Sequence, residues 1–430
     1  MSFADSFDQL LTKLDRDAEV KDWQLFAHQN TSLKAGFLQD QLGMIYRPIQ
    51  EHHNSGIQYL VVLQDGRVAQ GNASPERLKD INQLAVFIKN SATKLATEAQ
   101  LAPVQSAFKP TKLADQEVID IIESQPEKIT ELAKNFMQTQ LSYGLDNIEG
   151  EVELKHARQR FAGSQGLDMK SSETLNEFGV EYNTEIGASE RANGLVDQTE
   201  LSKLQTIAEY ANALRGAKAE IKSGTYPVVF EPYGGFGLLD CYIFNNIRGV
   251  SVEAGVTRFD AQDFKKRKKI AKDDFNLSVD QTIAMKPESF NFTSEGVVAQ
   301  KFDVIKNGCL TDPICNLQSA KQLGVPPRAL GSLSRAQIAA QSLEDYTKKN
   351  PKFILLLTPM GIHTLNEVIG TYSLPVPSAL YFENGSIVGA VNCVITGDFF
   401  AKLMDPQTNF VQLEAYQKPS LTFETDVTIK

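Results

Sequence analysis

The sequence predicts an α+β protein with two domains. A chain of 430 residues with 42% hydrophobic content is long enough to bury two cores. Short stretches of alternating apolar and polar residues are typical of strands, and other stretches repeat apolar residues at helical spacing. We expect an N-terminal α/β domain over residues 1–222, with packed helices and antiparallel strands at about 150–187. We expect a β-rich C-terminal domain with a few helices over residues 223–430.

The N-terminal domain is expected to begin with a helix, because residues 3–14 carry apolar side chains on one side. Four short strands separated by polar turns are expected between residues 22 and 73, with Asp65-Gly66 as a hairpin turn. Ser74 is then expected to cap a helix that runs to about Leu95. These strands with a helix on one face indicate an α/β layer.

The second part of the N-terminal domain repeats this pattern. Residues 99–114 are expected to be a connector, and Asp115 is expected to cap the next helical stretch. The most regular 3.6-residue period in the chain covers residues 129–141 and predicts a helix there. Antiparallel strands then precede a helix over residues 198–222.

The C-terminal domain is expected to be organised around residues 226–248. Tyr226–Glu231 is an apolar run with two valines, which indicates a buried strand. Gly234, Gly235 and Gly237 are expected to form a turn with unusual backbone freedom, and a helix is expected to follow. Such a junction can present backbone amides to a ligand.

The rest of this domain is predicted from strand and turn patterns. Val250–Phe259 is expected to be a strand, and Lys352–Thr358 a strand buried on both faces. Asn307-Gly308 and Glu383-Asn384-Gly385 mark turns, the second of them in a hairpin. The alternation in the last eleven residues predicts a final strand.

Composition limits the classes of function. The formal net charge of −10 makes nucleic acid an unlikely partner, because an acidic protein repels phosphate backbones. Lys265–Lys269 is a basic run that we interpret as a solvated surface, with a local anionic contact as the alternative. The sequence contains no run of apolar residues long enough to span a membrane and no signal peptide pattern, and it has only four cysteines. We therefore expect a soluble, cytoplasmic protein with reduced cysteines.

Residue spacing alone does not indicate an enzyme. The five histidines include no pair at the i, i+4 spacing of a helical zinc site. His52-His53 is expected to lie in a solvated loop, and His28 and His156 are expected to face solvent. The spacing of Cys309 and Cys315 does not fit a zinc knuckle.

Four segments in order resemble the TldD/PmbA family, which is described as modulators of DNA gyrase and as a metallopeptidase pair. The first is the N-terminal pattern of a helix, short strands and a hairpin that leads into SPERLKDINQLAVFIKN. The second, PVVFEPYGGFGLLDCYI, resembles the strand that leads into the family's Gly-Leu-Leu helix. The others are Phe292–Gly324 and Gly361–Val391, which resemble a block ending in Lys-x-Leu-Gly and a block with a Glu-Asn-Gly hairpin.

The resemblance implies a chain without its own zinc site. The family's TldD branch carries HExxxH in the second segment and a further cysteine ligand near the C-terminus. Aligned on Gly-Leu, this chain has Glu231, Pro232 and Phe236 at the His, Glu and His positions, and no cysteine follows Cys393. Since catalytic zinc needs about three protein ligands, the chain resembles the PmbA branch, also called TldE. We expect no catalytic or metal-binding residue and no cofactor in this chain, and zinc in its partner.

The first hypothesis is therefore a non-catalytic subunit that pairs with a TldD-like zinc metallopeptidase, which cleaves unfolded or extended peptides. A homodimer is also possible under this resemblance. Thr371 stands where the family usually has an acidic residue. The expected surface for peptide or partner comprises the three glycines of the predicted turn and residues of the fourth segment: Gly234, Gly235, Gly237, His363, Asn366, Gly370, Thr371, Tyr372 and Ser373.

Two alternatives remain open. One is an interaction protein that regulates a DNA-handling enzyme such as gyrase, without hydrolytic activity; Lys265–Lys269 motivates it. The other is a hydrolase with non-zinc chemistry at Glu231, Cys241 or Ser373, which no nucleophile–base spacing supports.

Overall fold

The computed structural model describes residues 3–430 except 41–42, 96–97, 104–107, 146, 183–185 and 334–335. The described residues form a mixed α+β fold, as the sequence predicts. The N-terminal strands form one antiparallel sheet, and most C-terminal strands form a second sheet that closes on itself. The division at residue 222 stays a prediction.

The first sheet has the strand order β3-β2-β1-β4-β5-β6. Its strands are β1 (Val20–Asp40), β2 (Gly43–Leu63), β3 (Val68–Ala73), β4 (Ile148–Gly163), β5 (Leu167–Tyr182) and β6 (Ile186–Ala192). The helices of this half are α1 (Phe3–Asp15), α2 (Ile81–Asn90), α3 (Gln116–Ser124), α4 (Lys128–Leu141), α5 (Gln198–Ser202) and α6 (Leu204–Arg215).

The predicted turns at residues 30–31 and 50–56 are wrong, because β1 and β2 are continuous strands of 21 residues each. The predicted break between residues 37 and 42 falls where β1 ends, beside residues 41–42, which lie outside the described residues. Residues 43–54 of β2 are exposed, so polar side chains such as those of His52-His53 continue the strand without entering a core. The hairpin at Asp65-Gly66 is confirmed, and Gly66 has a φ of +83°.

Helix boundaries differ from the predicted ones where another residue provides a better cap. Asp80, not Ser74, caps α2, and its side chain accepts a hydrogen bond from the Gln83 amide at 3.0 Å. Asp115 caps α3 as predicted. The helix predicted over 198–222 ends at Arg215, followed by Gly216.

The second half of the chain contains short strands, helices and two long hairpin strands. Its strands are β7 (Gly224–Phe230), β8 (Leu277–Asp280), β9 (Lys301–Lys306), β10 (Cys309–Leu310), β11 (Ala336–Gln337), β12 (Gln341–Ser342), β13 (Lys352–Leu356), β14 (Thr371–Glu383), β15 (Ser386–Asp398), β16 (Asn409–Gln412) and β17 (Ser420–Ile429). Its helices are α7 (Pro232–Leu239), α8 (Asn245–Ile247), α9 (Gly249–Ala254), α10 (Ala261–Lys265), α11 (Leu317–Leu323), α12 (Leu343–Lys349) and α13 (Phe399–Met404). A turn of π-helix, Asp240–Phe244, joins α7 to α8.

The larger C-terminal sheet closes because β7 pairs with two strands that are far apart in sequence. It runs parallel to β13 and antiparallel to β17, while β14 and β15 connect β13 to β17. The buried strand at 352–356 and the turn at Asn384-Gly385 are confirmed. The strand predicted over Val250–Phe259 is wrong, because residues 249–254 form α9.

Helices α3, α4 and α6 lie between the two sheets, whereas α1 and α2 belong to a separate buried cluster with β1, β2 and β3. Val118 of α3, Phe136 of α4 and Ile207 of α6 belong to one buried cluster that also includes Val229 and Phe353 of the closed sheet. Helix α6 contacts both β6 and the hairpin of β14 and β15. The two halves of the chain therefore share a continuous hydrophobic core.

Candidate functional site

The junction between β7 and α7 holds the positions that the resemblance aligns with zinc ligands. Glu231 is the N-cap of α7, and Pro232 occupies the first helical position. Proline is tolerated there because the first amide of a helix has no acceptor within the helix, so its lack of an N–H costs no hydrogen bond. The Glu231 carboxylate accepts a hydrogen bond from the Tyr233 amide at 2.8 Å and another from the Gly234 amide. The carboxylate that could have faced a metal is thus engaged by the helix start.

The Glu231 carboxyl group is also unusual in its burial and its pKa. Its side chain is almost fully buried, and burial raises its pKa from 4.5 to about 7, against the effect of the two backbone hydrogen bonds. The carboxyl group is therefore about half protonated near neutral pH. A group with this pKa could exchange a proton, but its burial leaves little access for a substrate.

The three glycines of the predicted turn lie inside α7, so the predicted turn is wrong. None of them has a positive φ, and each allows another segment to approach the helix closely. A Cβ atom on Gly234 would lie 2.6 Å from Cγ of Pro359, and one on Gly235 would lie 3.1 Å from Cβ of Leu421. The helix starts directly after the strand because Glu231 and Pro232 satisfy its first turn.

Phe236, at the position of the second zinc histidine, is part of the hydrophobic core and only 4% exposed. The Lys418 ammonium lies 5.9 Å from the centroid of its ring. Lys418 also pairs with Glu288 at 3.1 Å, and both line a cleft of about 460 Å³. The buried Phe236 side chain has no atom that can bind a metal.

A zinc ion does not fit this junction. In the described parts of the chain, no three side chains of His, Cys, Asp or Glu are grouped so that they could hold a metal ion. Cys393 lies in the core of the closed sheet, and burial raises its pKa to about 11. These observations concern the side chains of this chain and leave the expected zinc in a partner as a prediction.

Residues 361–373 partly form the expected surface. His363 and Asn366 are exposed, and the Asn366 side chain accepts hydrogen bonds from the amides of Val368 and Ile369 at 3.1 and 3.0 Å. Thr371 and Ser373 are exposed on β14. Their roles remain predictions.

Two other residues of the expected surface are buried. Gly370 has a φ of +92° and lies against Phe400, so a side chain there would clash. Tyr372 points into the core, where its hydroxyl lies 2.7 Å from that of Thr425. These two residues hold the start of β14, and their part in a surface for peptide or partner stays a prediction.

The structure brings the start of α7 and residues 359–362 together. Gly234 contacts Pro359, and a Cβ atom on Gly237 would lie 3.4 Å from Cδ1 of Ile362. Four apolar side chains are exposed to solvent: one at the start of α7, one in residues 359–362, and two in the following loop, whose backbone oxygens accept hydrogen bonds from the Arg258 side chain. We call them the α7 rim: Tyr233 (63% exposed), Met360 (57%), Val368 (38%) and Ile369 (56%).

The expected surface names none of the four residues of the α7 rim, although Tyr233 and the pair Val368 and Ile369 lie beside residues that it does name. The signal that could have identified this pair is an apolar dipeptide between Asn366 and Gly370, in a segment with no helical or strand period. Backbone oxygens of this pair accept hydrogen bonds from the Arg258 guanidinium at 2.8 and 3.1 Å, which fixes the loop while its apolar side chains face outward.

The basic run and the cysteine that motivate the regulator and the non-zinc hydrolase alternatives show no feature of a functional site. Ion pairs within the chain engage Arg267 with Asp312, Lys268 with Asp263 and Lys269 with Asp273, which reduces the charge that the run Lys265–Lys269 presents. Burial raises the pKa of Cys241 to about 11, so its thiolate is scarce at neutral pH. No helix among the described residues is long and apolar enough to cross a membrane.

Comparisons with known proteins agree with this fold. Residues 223–425 match the family model described as the PmbA/TldA metallopeptidase C-terminal domain. A protein of Methanocaldococcus jannaschii described as uncharacterized is 21% identical over 393 residues, which cover 87% of this chain and 90% of that protein. The crystal structure of TldE from Thermococcus kodakarensis superposes with a TM-score of 0.78 at 15% identity, covering 98% of this chain and 100% of that one.

A second structure with the same fold comes from Bacteroides thetaiotaomicron and is described as a candidate modulator of DNA gyrase. It superposes with a TM-score of 0.76 at 19% identity and covers 99% of both chains. At such identities the structural comparisons establish the fold along the whole chain, and the family model concerns its C-terminal part.

Proposed function

The chain belongs to the PmbA/TldD family through residues 223–425, and from this premise we propose that it is a non-catalytic subunit of a peptidase complex. Its partner would be a TldD-like zinc metallopeptidase that cleaves unfolded or extended peptides. This chain would form one wall of the peptide site, and the zinc would be bound by the partner.

The observation that carries the proposal is the use of the three zinc-motif positions for folding. Glu231 caps α7, Pro232 starts it, and Phe236 packs in the core. A catalytic zinc site needs about three ligands and an open coordination position. The chain thus keeps the family's fold but uses these three positions to stabilise α7 and the core. This suits a subunit that forms a wall of the peptide site and does not bind the metal.

The α7 rim is the surface that we propose for the partner. Adjacent exposed apolar side chains often mark interaction surfaces, and Val368 and Ile369 are such a pair. Tyr233 is held at β6 by a 3.1 Å contact between its hydroxyl and that of Ser189. A partner that covers Tyr233, Met360 and Ile369 would reach from the start of α7 to the loop that the Arg258 side chain holds. The cleft with Lys418 and Glu288 would offer charged groups to a bound peptide.

The test is co-expression with the TldD-like protein of the same genome, followed by size-exclusion chromatography, metal analysis and a peptide-cleavage assay. We expect a stable complex that holds zinc and cleaves extended peptides, while this chain alone does neither. Stoichiometric zinc together with peptide cleavage by the purified chain alone would overturn the proposal.

Matched variants test the proposed surface. Ile369→Asp and Met360→Asp place charges in the α7 rim, and we expect each to weaken the complex by roughly 10-fold or more, since central apolar contacts often contribute over 1 kcal/mol. Val86→Asp on α2 is the control, because Val86 is 53% exposed and outside the rim. Equal effects of all three variants would remove the rim from the interface.

The alternative is a regulator of a DNA-handling enzyme, in line with the description of the Bacteroides structure. The ion pairs around Lys265–Lys269 argue against it, because they leave this run with less charge for an anionic contact. A metal-free homodimer that does not bind the zinc subunit would favour this alternative.

A further inference from the structure

A serine, a histidine and a glutamate are aligned on one face of the first sheet. The Oγ atom of Ser172 lies 3.0 Å from Nε2 of His156, and Nδ1 of His156 lies 3.5 Å from Oε1 of Glu123. His156 is on β4, Ser172 on β5 and Glu123 on α3. A nucleophile, a base and a third group that orients the base form the arrangement used in nucleophilic catalysis.

The register of the two strands produces the first contact. His156 lies opposite Thr174 and Arg158 opposite Ser172, so His156 and Ser172 are diagonal neighbours on the same face. Helix α3 packs on β4 through Val118 and Ile121, and its last turn brings Glu123 to the ring. No sequence spacing reveals this set, because its members come from three elements.

His156 has the surroundings of a neutral base. Contrary to the prediction that it faces solvent, its side chain is only 4% exposed, and burial lowers its pKa, with a further contribution from Arg158. A neutral ring that donates from Nδ1 to Glu123 has a free lone pair on Nε2 for the Ser172 hydroxyl. The Glu123 carboxylate also pairs with the Arg158 guanidinium, so the same oxygen faces both the ring and a cation.

Ser172 is accessible from a cavity of about 710 Å³. Helix α1, the connector at 110–114 and the sheet enclose this cavity, which has apolar walls from Phe7, Ala27 and Leu113. The Lys112 and Lys170 side chains line it too, and Lys170 precedes Ser172 by two residues on the same strand. The cavity is large enough for a small acyl compound and combines apolar walls with positive charge.

We propose that Ser172 is the nucleophile of an acyl-transfer site in which His156 is the base and Glu123 a positioning residue, acting on small carboxylic esters that carry an anionic group. This activity is independent of the peptidase complex. The apolar walls would hold the acyl chain, and the lysines would attract the anionic group and the developing oxyanion.

The reaction would follow two balanced steps. Ser172 Oγ attacks the ester carbon and forms a new C–O bond, while its proton moves to Nε2 of His156. The bond to the alcohol then breaks, and the leaving alkoxide takes this proton, which leaves an acyl group on Ser172. Water attacks the acyl group, His156 accepts a proton from the water and returns it to Ser172, and the carboxylic acid leaves.

The test uses the full-length chain in EDTA, so that a zinc peptidase does not contribute. A fluorophosphonate probe and the p-nitrophenyl monoester of succinic acid are applied to the wild type and to Ser172→Ala. Ser171→Ala is the matched control: Ser171 borders the same cavity but bonds to Glu173 and Asn291 instead of His156. Peptide mass spectrometry locates the probe.

We expect one probe adduct on Ser172 and ester hydrolysis that Ser172→Ala and His156→Gln each reduce by about 100-fold or more. The Ser171→Ala variant should retain both labelling and hydrolysis. Glu123→Gln should lower hydrolysis by roughly 10-fold and shift its pH profile, which a purely structural residue would not do. Circular dichroism spectra equal to the wild type ensure that each loss reflects the site.

Other results would overturn the proposal. If the wild type takes up no probe and hydrolyses no ester, the contact between Ser172 and His156 is a cross-strand hydrogen bond without catalytic use. If Ser172→Ala is labelled and active like the wild type, the nucleophile is elsewhere or the activity comes from a contaminant.

Discussion

Glu231→Gln isolates the effect of one buried carboxyl group on stability. The wild-type group has a pKa of about 7 in the folded protein and 4.5 when exposed. Each pKa unit corresponds to about 1.4 kcal/mol, so ionising the buried group costs the folded state roughly 3 kcal/mol. Gln has nearly the same shape and does not titrate. Its single oxygen can accept only one of the two hydrogen bonds that Oε1 and Oε2 of Glu231 now accept, which adds a cost that does not depend on pH.

The direction in which stability changes with pH follows from proton linkage. Between pH 4.5 and 7 the unfolded chain has released the proton of Glu231 while the folded chain still holds it, so stability falls as pH rises. The contribution is fully present below pH 4.5 and lost above pH 7. Between pH 5 and pH 8 the wild type should therefore lose roughly 2–3 kcal/mol relative to Glu231→Gln.

The assay is urea unfolding followed by far-UV circular dichroism at pH 5, 6, 7 and 8 and constant ionic strength. The quantity of interest is the free energy of unfolding of the wild type minus that of the variant, because the buried Glu190, whose pKa is also about 7, cancels in this difference. Glu131→Gln, on the exposed side of α4, is the control and should show no trend with pH. A difference that stays flat or grows with pH would refute the assignment of a raised pKa to Glu231.

Three further predictions concern packing and turns, and thermal unfolding of purified variants checks each. Gly234→Val should lower the free energy of unfolding by roughly 1–3 kcal/mol, because its Cβ would lie 2.6 Å from Cγ of Pro359; an unchanged melting temperature would mean that residues 359–362 can move away. Phe230→Ala should cost about 3–5 kcal/mol, since this ring is fully buried in the closed sheet, whereas Tyr233→Ala, at an exposed ring, should cost under ~1 kcal/mol. Gly385→Val should cost roughly 1–2 kcal/mol at a φ of +83°, although there is room for its side chain; a neutral effect would show that the turn can change type.

Local chemistry explains which elements the sequence predicted well. The turns at Asp65-Gly66, Asn307-Gly308 and Asn384-Gly385 depend on residues that tolerate positive φ, and these three glycines have positive φ in the structure. The helix at 129–141 depends on a stripe of apolar residues, and Ile129, Ala133, Phe136 and Met137 are buried as the period indicates. Each of these features is determined within a short stretch of chain.

Features that depend on distant residues could not be predicted in this way. The closed sheet requires β7 to pair with β17, about 200 residues later. The glycines of α7 suggested a turn, but Gly234 and Gly235 are needed because Pro359 and Leu421 approach the helix too closely for a side chain. His156 carried no local sign of burial, because its surroundings are made by β5 and by α3.

The same packing predicts that restoring the zinc motif would not restore a zinc site. Glu231→His removes the cap of α7, which costs about 0.5–2 kcal/mol, and Phe236→His places a polar ring in the core without a partner. Together with Pro232→Glu these changes supply two histidines but no third ligand, since Cys393 is enclosed in the closed sheet and no cysteine follows it. We expect the triple variant to be less stable than the wild type and to bind less than one zinc per chain after dialysis against micromolar zinc. One zinc per chain, measured by atomic emission and lost when either histidine is replaced by Ala, would show that the scaffold still holds a third ligand in reach. Residues at the zinc-motif positions could then be changed to ligands without disrupting the packing of α7.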